Sequence, residues 1–240
     1  MSKKRAANQR SCKEEGITQE ITGQEKRYGE KDEKTMMAII DYDAGNIKSV
    51  EKAVQLLGEE VRITRDKDEI LSADGVILPG VGAFGDAMEK IRSYGLVPVI
   101  RQCVEKGTPF LGICLGLQLL FDSSEESPGV EGLGILKGKI VRLPGDAGLK
   151  IPHIGWNNLT FPVKGRLMEG IPEDSYVYFV HSYYLQAEDP GIVTATAEYG
   201  AQIHASVEQG NVFACQFHPE KSSGVGLKML ENFIALTKNP

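Results

Sequence analysis

Apolar and polar positions divide the chain into three textures. Residues 1–35 are dominated by Lys, Arg, Glu, Gln and Ser and hold almost no large apolar side chains. Such a stretch cannot bury enough apolar surface to offset the cost of ordering, so a polar, disordered extension is expected there. Met36 and Met37 stand directly before the first apolar run, which leaves open that the folded part starts at that point. From residue 36 to 240 one folded domain is expected.

Within that domain, residues 37–41 read as a short buried strand. Ile47, Val50, Val54 and Leu57 then recur at helical spacing, with Gly58 as a stop. Residues 61–64 and 75–78 predict the second and third strands. Two helices follow at about 85–93 and 96–105, before an apolar run that ends at Cys114. This β-α-β-α order predicts a central, mostly parallel sheet with helices on both faces. Beyond Phe121 short, turn-punctuated strands take over, at 139–143, 176–180, 192–197, 205–208 and 212–216. They are expected to extend the same sheet with antiparallel strands. A last amphipathic helix turns Leu227, Leu230, Phe233 and Ile234 inward. The class is α/β, with no internal repeat.

Composition narrows the function. A hydrophobic fraction of 41% and a charged fraction of 25% are ordinary for a soluble globular protein. A formal net charge of -6 gives no basic stripe for nucleic acid. No apolar run approaches the roughly 20 residues that cross a bilayer. The residues 1–35 lack the apolar segment of a secretory signal and are too acidic for an organellar transit peptide. Cys12, Cys103, Cys114 and Cys215 form no CxxC pair and no zinc spacing, which suits a reducing cytoplasm. The scattered His153, His181 and His204 suggest no metal, and no cofactor is expected.

Chemistry enters with Pro109-Phe-Leu-Gly-Ile-Cys-Leu-Gly-Leu-Gln118. An apolar strand that breaks at a glycine-flanked cysteine into a helix has the shape of a nucleophile elbow. About a hundred residues later comes Gln216-Phe-His-Pro-Glu220. Pro219 pushes His218 into an extended conformation, and side chains two apart on an extended chain share a side. Glu220 can therefore orient the His218 ring, and Cys114, His218 and Glu220 make a candidate triad. Cys103 and Cys215 read as core residues. The stretch Leu78-Pro-Gly-Val-Gly-Ala-Phe84, with Gly85, matches GxGxxG in spacing. It follows the third strand rather than the first and lacks the distal acidic residue, so dinucleotide binding is rejected. The better reading is a loop at Val81 and Gly82 that supplies an oxyanion N–H together with that of Leu115.

These residues resemble the class I glutamine amidotransferases over essentially all of 37–240. Four segments resemble one branch of that family, the glutaminase subunits of imidazole glycerol phosphate synthases in histidine biosynthesis. They are Asp41-Tyr-Asp-Ala-Gly-Asn46, Leu78-Pro-Gly-Val-Gly-Ala-Phe84, Pro152-His-Ile-Gly-Trp-Asn157 and Phe179-Val-His-Ser-Tyr-Tyr184. Asp43 departs from the glycine that is common in the family, and little harm is expected from it. The resemblance implies that Cys114 attacks the side-chain amide of glutamine with His218 as proton carrier. It also implies that Gly82, Gln118, Glu126, Ser182 and Tyr183 hold the substrate. Without it, Gln118 reads equally well as an exposed helix residue, and Trp156 by default as core.

The same resemblance places Ile154, Trp156 and Asn157 against a (βα)8-barrel synthase subunit, in a heterodimer that takes the ammonia. The segment around Trp156 holds Pro and Gly and looks unsuited to a long regular element. Weak glutaminase activity is expected from the isolated chain, because the Gly80–Gly82 loop must rearrange to present its N–H groups. A glutaminase serving another acceptor and a non-catalytic scaffold remain as alternatives.

Overall fold

The structure, a computed structural model, describes residues 35–145 and 148–238, so the expected extension lies outside the described residues except for Thr35. The first half alternates strand and helix: β1 (Met36–Ile40), α1 (Ile47–Leu56), β2 (Glu60–Thr64), α2 (Lys67–Ser72), β3 (Gly75–Leu78), α3 (Phe84–Ser93), α4 (Leu96–Glu105) and β4 (Phe110–Ile113). After the short α5 (Leu115–Leu119) come β5 (Ser123–Ser124), β6 (Gly138–Arg142), β7 (His153–Asn158), β8 (Tyr176–His181) and β9 (Tyr183–Ala187). β10 (Val193–Glu198), β11 (Gln202–Gln209), β12 (Val212–Cys215) and α6 (Ser223–Lys238) complete the chain.

A seven-stranded sheet runs in the order β10-β11-β12-β4-β3-β1-β2. β2, β1, β3, β4 and β12 pair in parallel, whereas β11 and β10 add antiparallel at one edge. The mixed α/β sheet read from the sequence is therefore present. Its two faces carry separate cores, because strand side chains alternate. Ile39, Ile77, Leu111 and Phe213 pack with Val50 and Val54 of α1 and Phe233 of α6. Ala38, Val76, Leu78 and Phe110 pack with Ile70, Met88 and Ile100 of α2, α3 and α4. Helices thus cover both faces, as a buried parallel sheet requires.

Two expectations need correction. The strands at 139–143 and 176–180 do not extend the main sheet. β6 sits with β5 and β9 in a three-stranded sheet, and β8 pairs only with β7. The segment around Trp156 is a regular six-residue strand after all. It is held by antiparallel pairing with β8 from His153↔His181 to Asn158↔Tyr176, so cross-strand bonds override the Gly155 break. The inward face of α6 also includes Met229, which is fully buried, while Leu227 packs against the core from its partly exposed edge.

The described ends meet at the amino edge of the parallel strands. Glu59, just before β2, accepts the Thr35 N–H at 2.8 Å and pairs with Lys238 Nζ at 2.9 Å. At about 1.5 Å per residue, the 16-residue α6 spans about 24 Å, from the carboxyl edge back to this point.

Candidate active site

Parallel strands end on one edge, so segments far apart in sequence converge there. The loop after β1, the glycine loop after β3, the turn after β4 and the turn after β12 all lie at this carboxyl edge. Cys114 occupies the turn after β4 with φ 54° and ψ −108°, a strained conformation for a residue bearing a Cβ. Its N–H donates to Cys215 O at 2.7 Å, which ties the turn to β12. Gly116 lets the corner pack: a Cβ there would lie 1.8 Å from the Leu78 carbonyl oxygen.

His218 and Glu220 flank Pro219, and both side chains are almost fully buried. His218 Nδ1 lies 2.7 Å from Glu220 Oε1. A carboxylate only accepts, so Nδ1 carries the proton and Nε2 is left toward the sulfur chemistry. Among the described residues His218 Nε2 has no hydrogen-bond partner, nor has Glu220 Oε2. Asn46 Nδ2 donates to the same Glu220 Oε1 at 2.5 Å. Asn46 has no assigned role in the sequence reading; its left-handed backbone, φ 70°, turns it inward ahead of α1.

Burial opposes a charged His218 ring, but the nearby Cys114 sulfur and the hydrogen bond and charge of Glu220 outweigh it and raise the ring to about 9. A pKa raised on folding stabilises the folded state most fully below the unfolded value, and that gain fades as pH rises through the folded value. The window for His218 is 6.5 to about 9. Glu220→Gln keeps the shape but removes the charge, so the ring should titrate at a lower pH. Proton NMR of the His218 ring reads this directly, and an unchanged titration would refute the coupling.

A cavity of about 280 Å³ opens over Cys114, lined by Val81, Gly82, Leu115, Gln118, Glu126, His181, Ser182 and Tyr183 among others. The structure thus gathers around Cys114 the substrate residues expected from the resemblance. Gln118 is buried rather than exposed. Its Nε2 donates to Tyr183 O at 3.1 Å and Gln216 Oε1 at 3.0 Å, so only its carbonyl oxygen remains for a ligand. Glu126 Oε2 accepts the Phe84 N–H at 2.8 Å at the start of α3. Gln216, another residue without an earlier role, places Nε2 3.7 Å from Cys114 Sγ.

Of the expected oxyanion donors, the Leu115 N–H is turned to another acceptor. α5 is only five residues long, so it offers the sulfur its first N–H groups rather than a long macrodipole. The foremost of these, Leu115 N–H, donates to Gly80 O at 3.3 Å. Beneath the loop, the buried Tyr42 hydroxyl donates to Pro79 O at 2.8 Å. A Cβ on Gly80 would lie 2.1 Å from that hydroxyl oxygen. Asp43, in the same loop as Tyr42, takes φ 62°. Its carboxylate accepts from Arg65 Nη2 at 2.7 Å and from the Tyr94 hydroxyl at 2.5 Å, so the departure from glycine is tied down by partners.

His153 and His181 are not scattered, as the sequence suggested: Nδ1 of the first lies 3.0 Å from Nε2 of the second. Their pairing rests on the β7–β8 register, which no local pattern reveals. Among the described residues no group of three or more His, Cys, Asp or Glu is placed to hold a metal ion. Ile154 and Trp156 stand out from the same ribbon, 60% and 51% exposed, and Asn157 Nδ2 donates to Glu198 O. Trp156 is therefore a surface residue, and the default core reading fails. Burial pushes the Cys103 thiol up to about 11 and the Cys215 thiol well above its ordinary value, as for core thiols.

The model of the family described as "Glutamine amidotransferase class-I" matches residues 38–236. The imidazole glycerol phosphate synthase subunit HisH of Moorella thermoacetica is 53% identical over 203 residues, covering 85% of this chain and 96% of that relative. Its namesake in Aquifex aeolicus is 53% identical over 196 residues, covering 81% and 94%. Among solved structures, one titled as a glutamine amidotransferase superposes with a TM-score of 0.67 at 23% identity, covering 84% of this chain and 98% of that one. PurLQS from Thermotoga maritima does so with 0.67 at 21% identity, covering 85% and 99%. These two likenesses speak for the fold alone.

Proposed function

The chain belongs to the class I glutamine amidotransferases, and from that premise we propose that it is the glutaminase subunit of an imidazole glycerol phosphate synthase. The observation that carries the reading is the strained Cys114 at the floor of a cavity, with the buried His218–Glu220 pair beside it.

Cys114 Sγ attacks the carboxamide carbon of glutamine as His218 Nε2 takes the thiol proton. The tetrahedral oxyanion would be met by N–H groups of Leu115 and the Val81–Gly82 loop. His218 returns the proton to the amide nitrogen, the C–N bond breaks, and ammonia leaves a γ-glutamyl thioester on Cys114. His218 then takes a proton from water, whose oxygen displaces the sulfur and releases glutamate. Glu220, steadied by Asn46, orients the ring and compensates its charge in each half. Gln118, Glu126, Ser182 and Tyr183 hold the substrate; the free carbonyl of Gln118 and the second carboxylate oxygen of Glu126 suit cationic or N–H groups.

The ammonia passes to a synthase subunit. In the finer form of the reading this is a (βα)8 barrel, docked as a heterodimer on Ile154, Trp156 and Asn157, which forms imidazole glycerol phosphate and AICAR. An exposed tryptophan beside an exposed isoleucine is the kind of anchor that protein interfaces favour. We place the protein in the cytoplasm: no helix among the described residues is long and apolar enough to cross a membrane, and the described cysteines are free. Reconstitution with that barrel subunit tests the whole reading. Glutamine should drive imidazole glycerol phosphate formation, and its failure with a barrel subunit active on ammonium would overturn it.

A further inference from the structure

β7 begins at His153, directly before the exposed Ile154, while β8 ends at His181 in the wall of the cavity. The two rings are paired across the ribbon, and their protons can be assigned. His181 Nδ1 lies 3.0 Å from Tyr183 O, an atom that only accepts, so this nitrogen donates. Its Nε2 then offers a lone pair to His153, whose Nδ1 must carry the proton. Burial pushes both rings down, His153 to about 4 and His181 to about 3, which keeps them neutral and this one-way chain intact. His153 is itself sandwiched, with its centroid 3.8 Å from that of Tyr199 and 4.8 Å from that of Phe179.

The chain ends on a carbonyl that matters. Tyr183 O also accepts from Gln118 Nε2, so two donors from the cavity lining converge on it. The adjacent Ser182 O accepts the Leu143 N–H at 2.9 Å. The Ser182–Tyr183 wall is thereby tied to Leu143, His181 and Gln118 by hydrogen bonds.

We propose that His153 is a positioning residue for glutamine: by holding His181 in a single tautomer it fixes the Tyr183 carbonyl, Gln118 and the substrate-binding wall. This rests on the glutaminase reading above. It also makes the ribbon that bears Ile154 and Trp156 continuous, through hydrogen bonds, with the cavity.

The test uses the reconstituted complex. His153→Phe retains a ring between Tyr199 and Phe179 but lacks the donor; His153→Asn restores an N–H close to the Nδ1 position. For loss of one buried hydrogen bond, His153→Phe should raise the glutamine KM about tenfold and change kcat less than about twofold, and His153→Asn should recover most of the difference. An unchanged KM, or equal impairment of both variants, would overturn the proposal. Nitrogen-detected NMR of the native imidazoles provides a check that needs no variant: both should be protonated at Nδ1, and an Nε2-protonated His181 would refute it. Absence of glutaminase in the native complex would instead count against the functional reading, leaving the tautomer result to judge the pair.

Discussion

Cys114→Ala should lower glutamine-dependent turnover by about 10⁴-fold or more, the scale seen when a catalytic nucleophile is deleted, while ammonium salts still drive the partner subunit. Among the described residues the sulfur is the only atom on the cavity floor able to form a thioester, and neither core thiol can replace it. Cys103 lies on α4, and Cys215 points its sulfur at Phe217 O. Alanine leaves the φ of 54° equally strained, since the penalty arises at Cβ, and it creates only a small void beside the existing cavity. Folding and partner binding should therefore survive, so a dead glutaminase will not be a dead protein. Steady-state glutamate release, set beside ammonium-dependent synthesis in the same complex, makes the comparison. Glutamine turnover within tenfold of native would remove Cys114 from the mechanism.

The partner subunit should raise the glutaminase rate about 10²- to 10³-fold, the amount typically attached to one oxyanion donor. In the free chain the Leu115 N–H is spent on Gly80 O, and the loop bearing that carbonyl is braced by the Tyr42 hydroxyl on Pro79 O. An oxyanion arriving at Cys114 would find that donor turned to the wrong acceptor. On the proposed reading, docking at Ile154 and Trp156 would move the glycine loop, or the ribbon beside it, and so release the donor. Glutamate release with and without the proposed partner subunit measures the effect. Equal rates would mean that the loop moves as easily in the free chain.

Much of this site could be read before any coordinates, because its signals are short-range. The Cys114 corner follows from an apolar strand broken between Gly112 and Gly116, and Pro219 leaves His218 extended as read; Glu220, however, lies in a 3-10 turn over Pro219–Lys221, so that turn rather than an extended chain brings it to the ring. The parallel half of the sheet was legible for the same reason, through strand and helix periods that each declare themselves within ten residues. What escaped depends on partners distant in sequence. β7 carries Gly155 and alternates poorly, and only β8 makes it a strand. β6 and β8 were legible as strands, but β5, β9 and the grouping into two small sheets were not, because pairing rather than composition assigns them. α2 was missed because it buries a single residue, Ile70. The His153–His181 pair and the Asn46–Glu220 bond join positions 28 and 174 residues apart, beyond the reach of any local pattern.

The meeting of Thr35, Glu59 and Lys238 bears on how the molecule can be handled. A tether or label joined after residue 238 leaves from the rim of the sheet that faces away from Cys114 and Trp156. A protein captured on a sensor chip by its carboxyl end would present both the mouth of the cavity and the ribbon bearing Trp156 to the flowing solution.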